Sequence, residues 1–437
     1  MKKNFKIVVI GFNAGYVKYI LSQLGVNEDV LLINNSLFVA NEFPDFPFYH
    51  LKSNDIPWYI SDSFSCDLLL VDSSLGINVE DISFKHLEFV HVDTLGSEIK
   101  IFNKNILLPP LDFETRNIEG LEVGNILVTS VSDKVPLIRS IREATLGFME
   151  GIKIYGIDLH HDPVSKYFLD GFYQQKSKGE LFINEVLEIC VRNSIKHIIP
   201  TRDGELEFFS KNKAVFNNEG IDIFVSELSV IETCLDKLKF FNVLGAYFDE
   251  IIPTFSDSES FSDNDVIVVK ERLGAGSHNL MLGVHKTSFE QEKFESPIFQ
   301  PHIEGEEFSI DSYYDGDFLI SCCRRRTLVK NGESQITEEV MNDEFQKIVQ
   351  DIIKKFNIKG HSVFQAIIDS NEKIHIIECN SRFGGASSFS VAAGVDTFTY
   401  YLFRYYFKKM FTPFYKSDEI LLKQVRYKND MILSAKG

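Results

Sequence analysis

The sequence predicts an α/β protein in which two parallel-sheet regions precede an α+β region. Three observations carry that expectation. Apolar strand segments alternate with helical segments over about the first half of the chain, the order that builds parallel sheets. Farther on, Gly360–Asp369 and 374–377, joined by the turn Ser370-Asn371-Glu372-Lys373, read as an antiparallel hairpin. The 437 residues are 44% apolar and 25% charged, ordinary for a globular chain of about two to four domains or subdomains.

The first region, 1–119, is Rossmann-like in rhythm. Strands are expected at 6–10, 30–34, 67–72 and 89–92, with a helix over 16–24. Gly11-Phe12-Asn13-Ala14-Gly15 lacks the G-x-G-x-x-G spacing, so no dinucleotide site is expected there. Residues 41–57, with Pro44, Pro47 and Pro57, read as a long aromatic loop. The segment 108–123 is the expected junction, and no chemistry attaches to this region. The second region, 120–231, repeats the pattern with strands at 125–130, 153–158 and 197–201 and helices over 135–144 and 181–193. Asp203 and Glu205 follow the last of these strands, where open α/β sheets place ligands. A helix N-cap is an equal reading for Asp203.

The third region, 232–437, holds the chemistry. Ile376-Ile377-Glu378-Cys379-Asn380-Ser381-Arg382 reads as a strand, and alternation places Glu378, Asn380 and Arg382 on one face, with Ile377 and Cys379 toward the core. A carboxylate, a carboxamide and a guanidinium side by side suit Mg²⁺ and the phosphates it carries. The hairpin brings Gln365 alongside this stretch, so Gln365, Glu378 and Asn380 are the candidate metal ligands. In this feature the chain resembles the ATP-grasp superfamily, in particular the branch containing carbamoyl-phosphate synthase large subunits.

Other motifs fall in the order that resemblance requires, over residues 120–437. Asp236-Lys237 with Ile252-Pro253-Thr254 looks like the family's opening helix and its entry to a mobile lid, here about 250–300; the second proline often found there is missing. A strand ending in Lys270 is followed by Gly274-Ala275-Gly276-Ser277, a loop whose glycines let backbone N–H groups approach an anion. His278-Asn279 stand where the family often has Arg-Gly. The resemblance implies that Lys237, Lys270, Gly274, Gly276 and Ser277 hold ATP phosphates. It also implies that Gln300, His302 and Ile303 border the adenine and that Glu307 takes the ribose. Gln300 replaces a glutamate common in the family. In Arg324-Arg325-Arg326 the outer two share a strand face, and Arg326, with Arg324 behind it, is the candidate grip on a carboxylate or acyl phosphate. Arg382, Arg326 and Lys270 are the candidate catalytic cations.

The implied function is an ATP-dependent, ADP-forming ligase. It would join a small carboxylate, such as an amino acid, to an amine through an acyl phosphate, with ATP and two Mg²⁺ (Mn²⁺ substituting) as cofactors. Carbamoyl- or carboxy-phosphate chemistry on bicarbonate, and a non-catalytic nucleotide-binding regulator, are the alternatives. A net charge of −18 argues against nucleic acid as a partner. Six cysteines without metal spacing fit buried thiols in a reducing cytoplasm. No apolar run reaches membrane-spanning length. Met1-Lys2-Lys3-Asn4-Phe5-Lys6 leads straight into a strand, so a secretory signal is not expected. The expected partners are small-molecule substrates, with a homodimer as an option carried by the wider family.

Overall fold

The computed structural model describes residues 3–11, 17–18, 20–21, 29–51, 64–72, 86–92, 98–101, 104–107, 123–148, 151–274, 279–289, 293–330, 332–413, 421–427 and 430–432. These residues group into two compact units. One comprises Met1–Pro200, Asn212–Phe224 and Asp396–Ile420; the other comprises Thr201–Lys211, Val225–Val395 and Leu421–Gly437. Most of the helix expected over 16–24 lies outside the described residues.

The first unit contains two parallel sheets. In one, the strand order is Thr412–Pro413, Pro47–His50, Val30–Asn34, Lys3–Ile10, Phe64–Asp72, His86–Val92. Val30–Asn34 is buried at every position, as a parallel strand covered on both faces must be. The segment expected as a long loop contributes the strand Pro47–His50, whose proline stands first, where its missing N–H is tolerated. In the other sheet the order is Gly171–Gln174, Ile154–Asp158, Asn125–Thr129, Ile195–Ile199, Asp222–Ile223. The helix Thr397–Phe407 belongs to this unit as well, although it lies far along the chain. Fully buried His197 bridges two of its side chains, with Nδ1 2.9 Å from the Tyr401 hydroxyl and Nε2 2.6 Å from that of Tyr406. Burial, with help from Lys408, pushes His197 down to about 3, so the ring is neutral at physiological pH.

The second unit is built on a six-stranded antiparallel sheet. Its order is Ile374–Asn380, Gly360–Asp369, Gly305–Tyr314, Leu319–Lys330, Glu333–Glu339, Lys423–Val425. One face is apolar: Phe308, Ile310, Cys323, Phe364, Ala366, Ile376 and Cys379 pack with the helix Asp343–Phe356. That helix is capped by the Asn342 side chain, which accepts from the Phe345 N–H, and ends at Asn357 in the left-handed conformation. Phe345, Val349, Ile352 and Ile353 line its buried stripe at 0% exposure, each contributing on the order of 1.5–3 kcal/mol. A smaller sheet, ordered Leu280–His285, Val266–Glu271, Pro297–Pro301, has its own core of Ile267, Val269, Phe294 and Phe299.

A bulge decides which way the key strand faces. Gln365 pairs with Glu378 but Ala366 pairs with Ile376, leaving Ile377 as an inserted residue. Ile374 and Ile376 face the core before the bulge, and Cys379 does after it. The expectation that Ile377 points into the core is therefore corrected: Ile377 absorbs the phase change and is only partly buried.

Candidate active site

The face of the large sheet opposite its core carries the polar residues singled out in the sequence. Register places Ser309 beside Arg324 on one side and Gln365 on the other, with Glu378 beyond. Around Glu378, Gln365 Nε2 donates to Oε1 at 3.0 Å and Asn380 Nδ2 donates to the same oxygen at 3.1 Å. Burial alone raises the Glu378 carboxyl. Lys270, then Lys237, the Asn380 amide and Arg382 outweigh it and hold the group below its ordinary value. No cluster of three or more His, Cys, Asp or Glu side chains suited to a metal occurs among the described residues. The set at Glu378 is of another kind, one ionised carboxylate whose partners are two carboxamides. With their oxygens turned inward, the amides and the carboxylate form a hard-oxygen set that fits Mg²⁺ completed by nucleotide phosphates.

The two lysines reach this carboxylate's surroundings from different elements. Asp236 caps the helix Lys237–Leu244, accepting from the N–H groups of Leu238 and Lys239, and Arg272 pairs with it through Nε at 2.8 Å and Nη2 at 2.6 Å. Lys237, held at the first helical position and 8% exposed, donates Nζ to the Gly274 carbonyl at 2.9 Å. Gly274 has φ +111, a conformation that favours glycine at the start of this loop. Gly276 and Ser277 lie outside the described residues. Lys270 stands at the end of its strand, facing the same side as Gln300, whose partner across the ladder is Val268. Enclosure lowers Lys270 to about 8; Glu378 opposes that shift and Lys237 adds to it.

Three arginines sit in three different settings. Arg382 makes a two-pronged pair with Asp203, through Nε and Nη2, both at 2.6 Å, and its Nη2 is 3.4 Å from Asn380 Oδ1. Asp203 therefore serves as the anchor of Arg382, while Glu205 accepts from the Thr201 and Arg202 N–H groups. Arg326 spans several groups: Nη1 donates to Glu307 at 2.9 Å and to Gln365 Oε1 at 3.0 Å, Nε to Ser334 at 3.1 Å, and Nη2 to the Gly332 carbonyl at 2.7 Å. Arg324, 3% exposed, pairs with fully buried Asp311 at 2.7 Å. His361 and Ser387 complete that buried group. Arg325 points the other way, to Glu306 and Glu338, as strand alternation requires.

At the strand Pro297–Pro301, Gln300 is 2% exposed and donates Nε2 to Thr254 Oγ1 at 2.8 Å. His302 and Ile303 follow it half-buried. Glu307, well exposed, is paired to Arg326. The structure thus brings Gln365, Glu378, Asn380, Arg326 and Glu307 into one hydrogen-bonded array, with Lys237, Lys270 and Arg382 close enough to bias its carboxylate. Sequence reading missed Arg272, Ser334 and Arg426, and gave Thr254 only a place in the entry to the lid, without its contact to Gln300. Arg426 donates Nη1 to Glu333 at 2.8 Å and Nη2 to the Gly385 carbonyl at 2.5 Å. No local pattern marks it, because only the return of Lys423–Val425 to the sheet edge brings it there.

Residues 234–386 match the model of the ATP-grasp domain, and residues 126–224 match that of the PylC-like, N-terminal domain. No curated protein sequence matches the chain. Among solved structures, the fold is similar to an L-amino acid ligase from Bacillus licheniformis, at 15% identity over 66% of this chain and 75% of that one, with a TM-score of 0.51. It is similar to N5-carboxyaminoimidazole synthetase from Staphylococcus aureus at 16% identity, covering 66% of this chain and 79% of that one, with a TM-score of 0.51. The biotin carboxylase domain of the Hydrogenobacter thermophilus 2-oxoglutarate carboxylase, solved with MgADP, ADP and bicarbonate, gives 12% identity, coverages of 68% and 72%, and a TM-score of 0.52. The chain spans 27% of the length of a Rhizobium etli pyruvate carboxylase. No helix among the described residues is long and apolar enough to cross a membrane.

Proposed function

We propose that this chain, whose residues 234–386 are an ATP-grasp domain, is an ADP-forming ligase that joins a small carboxylate to an amine. The observation that carries the reading is Glu378: one ionised carboxylate flanked by two carboxamides, biased by Lys270, Lys237 and Arg382, on a sheet face that also holds Arg326. Such a surplus of positive charge around a metal-type donor set suits a nucleoside triphosphate and the charge that grows as its terminal phosphoryl group moves.

In this reading a carboxylate oxygen of the acid attacks the γ-phosphorus of ATP, the bond to the β-phosphate oxygen breaks, and ADP leaves. The amine then adds to the carbonyl carbon of the acyl phosphate, phosphate departs with the C–O electron pair, and the amine loses a proton. Gln365, Glu378 and Asn380 are the residues that would hold Mg²⁺, which when bound supplies phosphate charge neutralisation and alignment. Lys237 and Lys270 bind phosphate oxygens. Arg382, aimed by Asp203, and Arg326, held by Glu307, Gln365 and Ser334, orient the anions that meet at the phosphoryl group. No nucleophilic side chain is needed, and all six cysteines are buried free thiols.

The test is ADP and phosphate release by purified protein with Mg²⁺ and ATP, screened against pooled carboxylic acids with and without amines. Release that requires one acid–amine pair supports the ligase. Release with bicarbonate alone, or tight ATP binding without turnover across all pools, refutes it in favour of carboxy-phosphate chemistry or of a nucleotide-binding regulator.

A further inference from the structure

Gln300 poses an orientation problem that a glutamate does not. A carboxylate offers an acceptor at either oxygen, whereas a carboxamide offers an acceptor at one end and a donor at the other. The structure contains a device that fixes which end points where. Thr254, 2% exposed, donates its hydroxyl hydrogen to the Ile252 carbonyl at 3.1 Å. That carbonyl can only accept, so the hydrogen is committed and Thr254 Oγ1 meets Gln300 with a lone pair. Gln300 must therefore turn its NH₂ group toward Thr254, and the 2.8 Å contact is from Nε2. Oε1 is left facing away from Thr254, with no donor to it among the described residues. Reversing the amide would require the Thr254 hydrogen to swing to Oε1, taking from the buried Ile252 carbonyl the bond it now has.

The strand position says what Oε1 is for. Gln300 lies opposite Val268 and on the same face as Lys270, away from the small sheet's own core of Ile267, Val269 and Phe299. That is the face on which the phosphate-binding lysine lies in the function proposed above, and the inference rests on that reading. We infer that Thr254 is a positioning residue that, by locking Gln300 with its oxygen outward, makes the site select purine nucleotides carrying a six-amino group and reject those carrying a six-oxo group. An outward oxygen accepts from an exocyclic amine. Facing a six-oxo group it is acceptor against acceptor in a low-dielectric pocket, which weakens binding.

Calorimetric titration with Mg²⁺ and either ATP or ITP tests this without knowledge of the acid or amine, because the two bases differ only at this hydrogen-bonding edge. The wild-type protein is expected to prefer ATP by at least about tenfold. Thr254→Val, which fills the same space without the hydroxyl, frees the amide to reverse and should cut the preference by about five- to tenfold, chiefly by strengthening ITP relative to ATP. Thr254→Ser keeps the relay and should keep the preference. Gln300→Glu, which has no donor end, should keep the preference for ATP and make it insensitive to the Thr254→Val change. A folded Thr254→Val protein with an unchanged ATP-to-ITP ratio overturns the inference. If that variant does not fold, a Thr254→Ser protein that loses the preference, or a Gln300→Glu protein that favours ITP, overturns it instead. Failure of the wild-type protein to bind either nucleotide removes the functional reading itself, and this inference with it.

Discussion

Arg382 and Asp203 stand 179 positions apart and face each other in a two-pronged pair with both contacts at 2.6 Å. The pair is mostly buried, at 18% and 16% side-chain exposure. It fixes the plane of a guanidinium whose remaining edge looks toward Asn380. In the proposed function a fork of this kind would limit where Arg382 meets a phosphoryl oxygen, which is what a transition-state contact requires.

Asp203→Asn keeps the shape and removes the charge. We expect substrate-dependent phosphate release to fall by about 10- to 100-fold in kcat, with ATP affinity changed little, because the anchor acts on Arg382 and not on the nucleotide. Steady-state kinetics that separate kcat from KM check this; an unchanged kcat contradicts it.

Lys270 gives a pH signature. Its ammonium is lowered from 10.5 to about 8 in the free protein, so the cation is present below about 8 and lost above it. Bound polyphosphate favours the charged form. ATP affinity should therefore decline as pH rises through about 8, and binding near that pH should take up a proton. Titration calorimetry in buffers of different ionisation enthalpy reads the uptake directly. The same shift gives a stability trend of definite sign. Between about 8 and 10.5 the unfolded chain binds more protons at this position than the folded one, so this group's contribution to stability rises with pH in that window.

Much of this site is legible in the sequence, and the exceptions have a common cause. That Gln365 comes alongside the stretch from Glu378 to Asn380 follows from hairpin length, though its pairing with Glu378 itself is set by the bulge, and the shared face of Arg324 and Arg326 follows from strand alternation. The bulge at Ile377 is not legible, since a period of two cannot reveal an inserted residue. Asp203 was visible as an acid at a strand end, but its partner depends on a contact that no local pattern encodes. The same holds for Arg426, and for the return of Thr397–Phe407 to the first unit, which rests on buried His197 meeting two tyrosines. Local chemistry was readable; long-range register was not.

Asp311 and Arg324 form a buried pair beneath the site. Burial alone raises the Asp311 carboxyl, but Arg324, then His361 and Ser387, hold it far below the ordinary carboxylate range. Its stabilising contribution is thus present above the unfolded value near 3.8 and survives well into acid. Arg324→Met leaves the carboxylate buried without its cation and should cost about 3–5 kcal/mol, read from urea unfolding. Adding Asp311→Asn in the same protein should recover a large part of that loss. A single variant of wild-type stability contradicts the assignment.

Arg426 ties together two turns that each touch an arginine of the candidate site. Its partner Glu333 adjoins Gly332 and Ser334, both bonded to Arg326, while its other partner, Gly385, follows Phe383, whose carbonyl accepts from Arg382 at 3.4 Å. Arg426→Met should lower kcat/KM for the acid by about tenfold with melting temperature nearly unchanged, since the side chain is a quarter exposed. Arg426→Lys should restore only part of it, because an ammonium cannot reproduce the two-pronged reach.

The central claim is transfer of the γ-phosphoryl group to a carboxylate, and isotope transfer tests it most directly. The acid selected by the screen, labelled with ¹⁸O in its carboxyl group, is turned over with ATP and amine, and the released phosphate is analysed by mass spectrometry. The account predicts one labelled oxygen in each phosphate and its loss along with turnover in the Glu378→Gln protein. Phosphate that carries no label, with ADP still formed, contradicts an acyl phosphate and with it the proposed ligase.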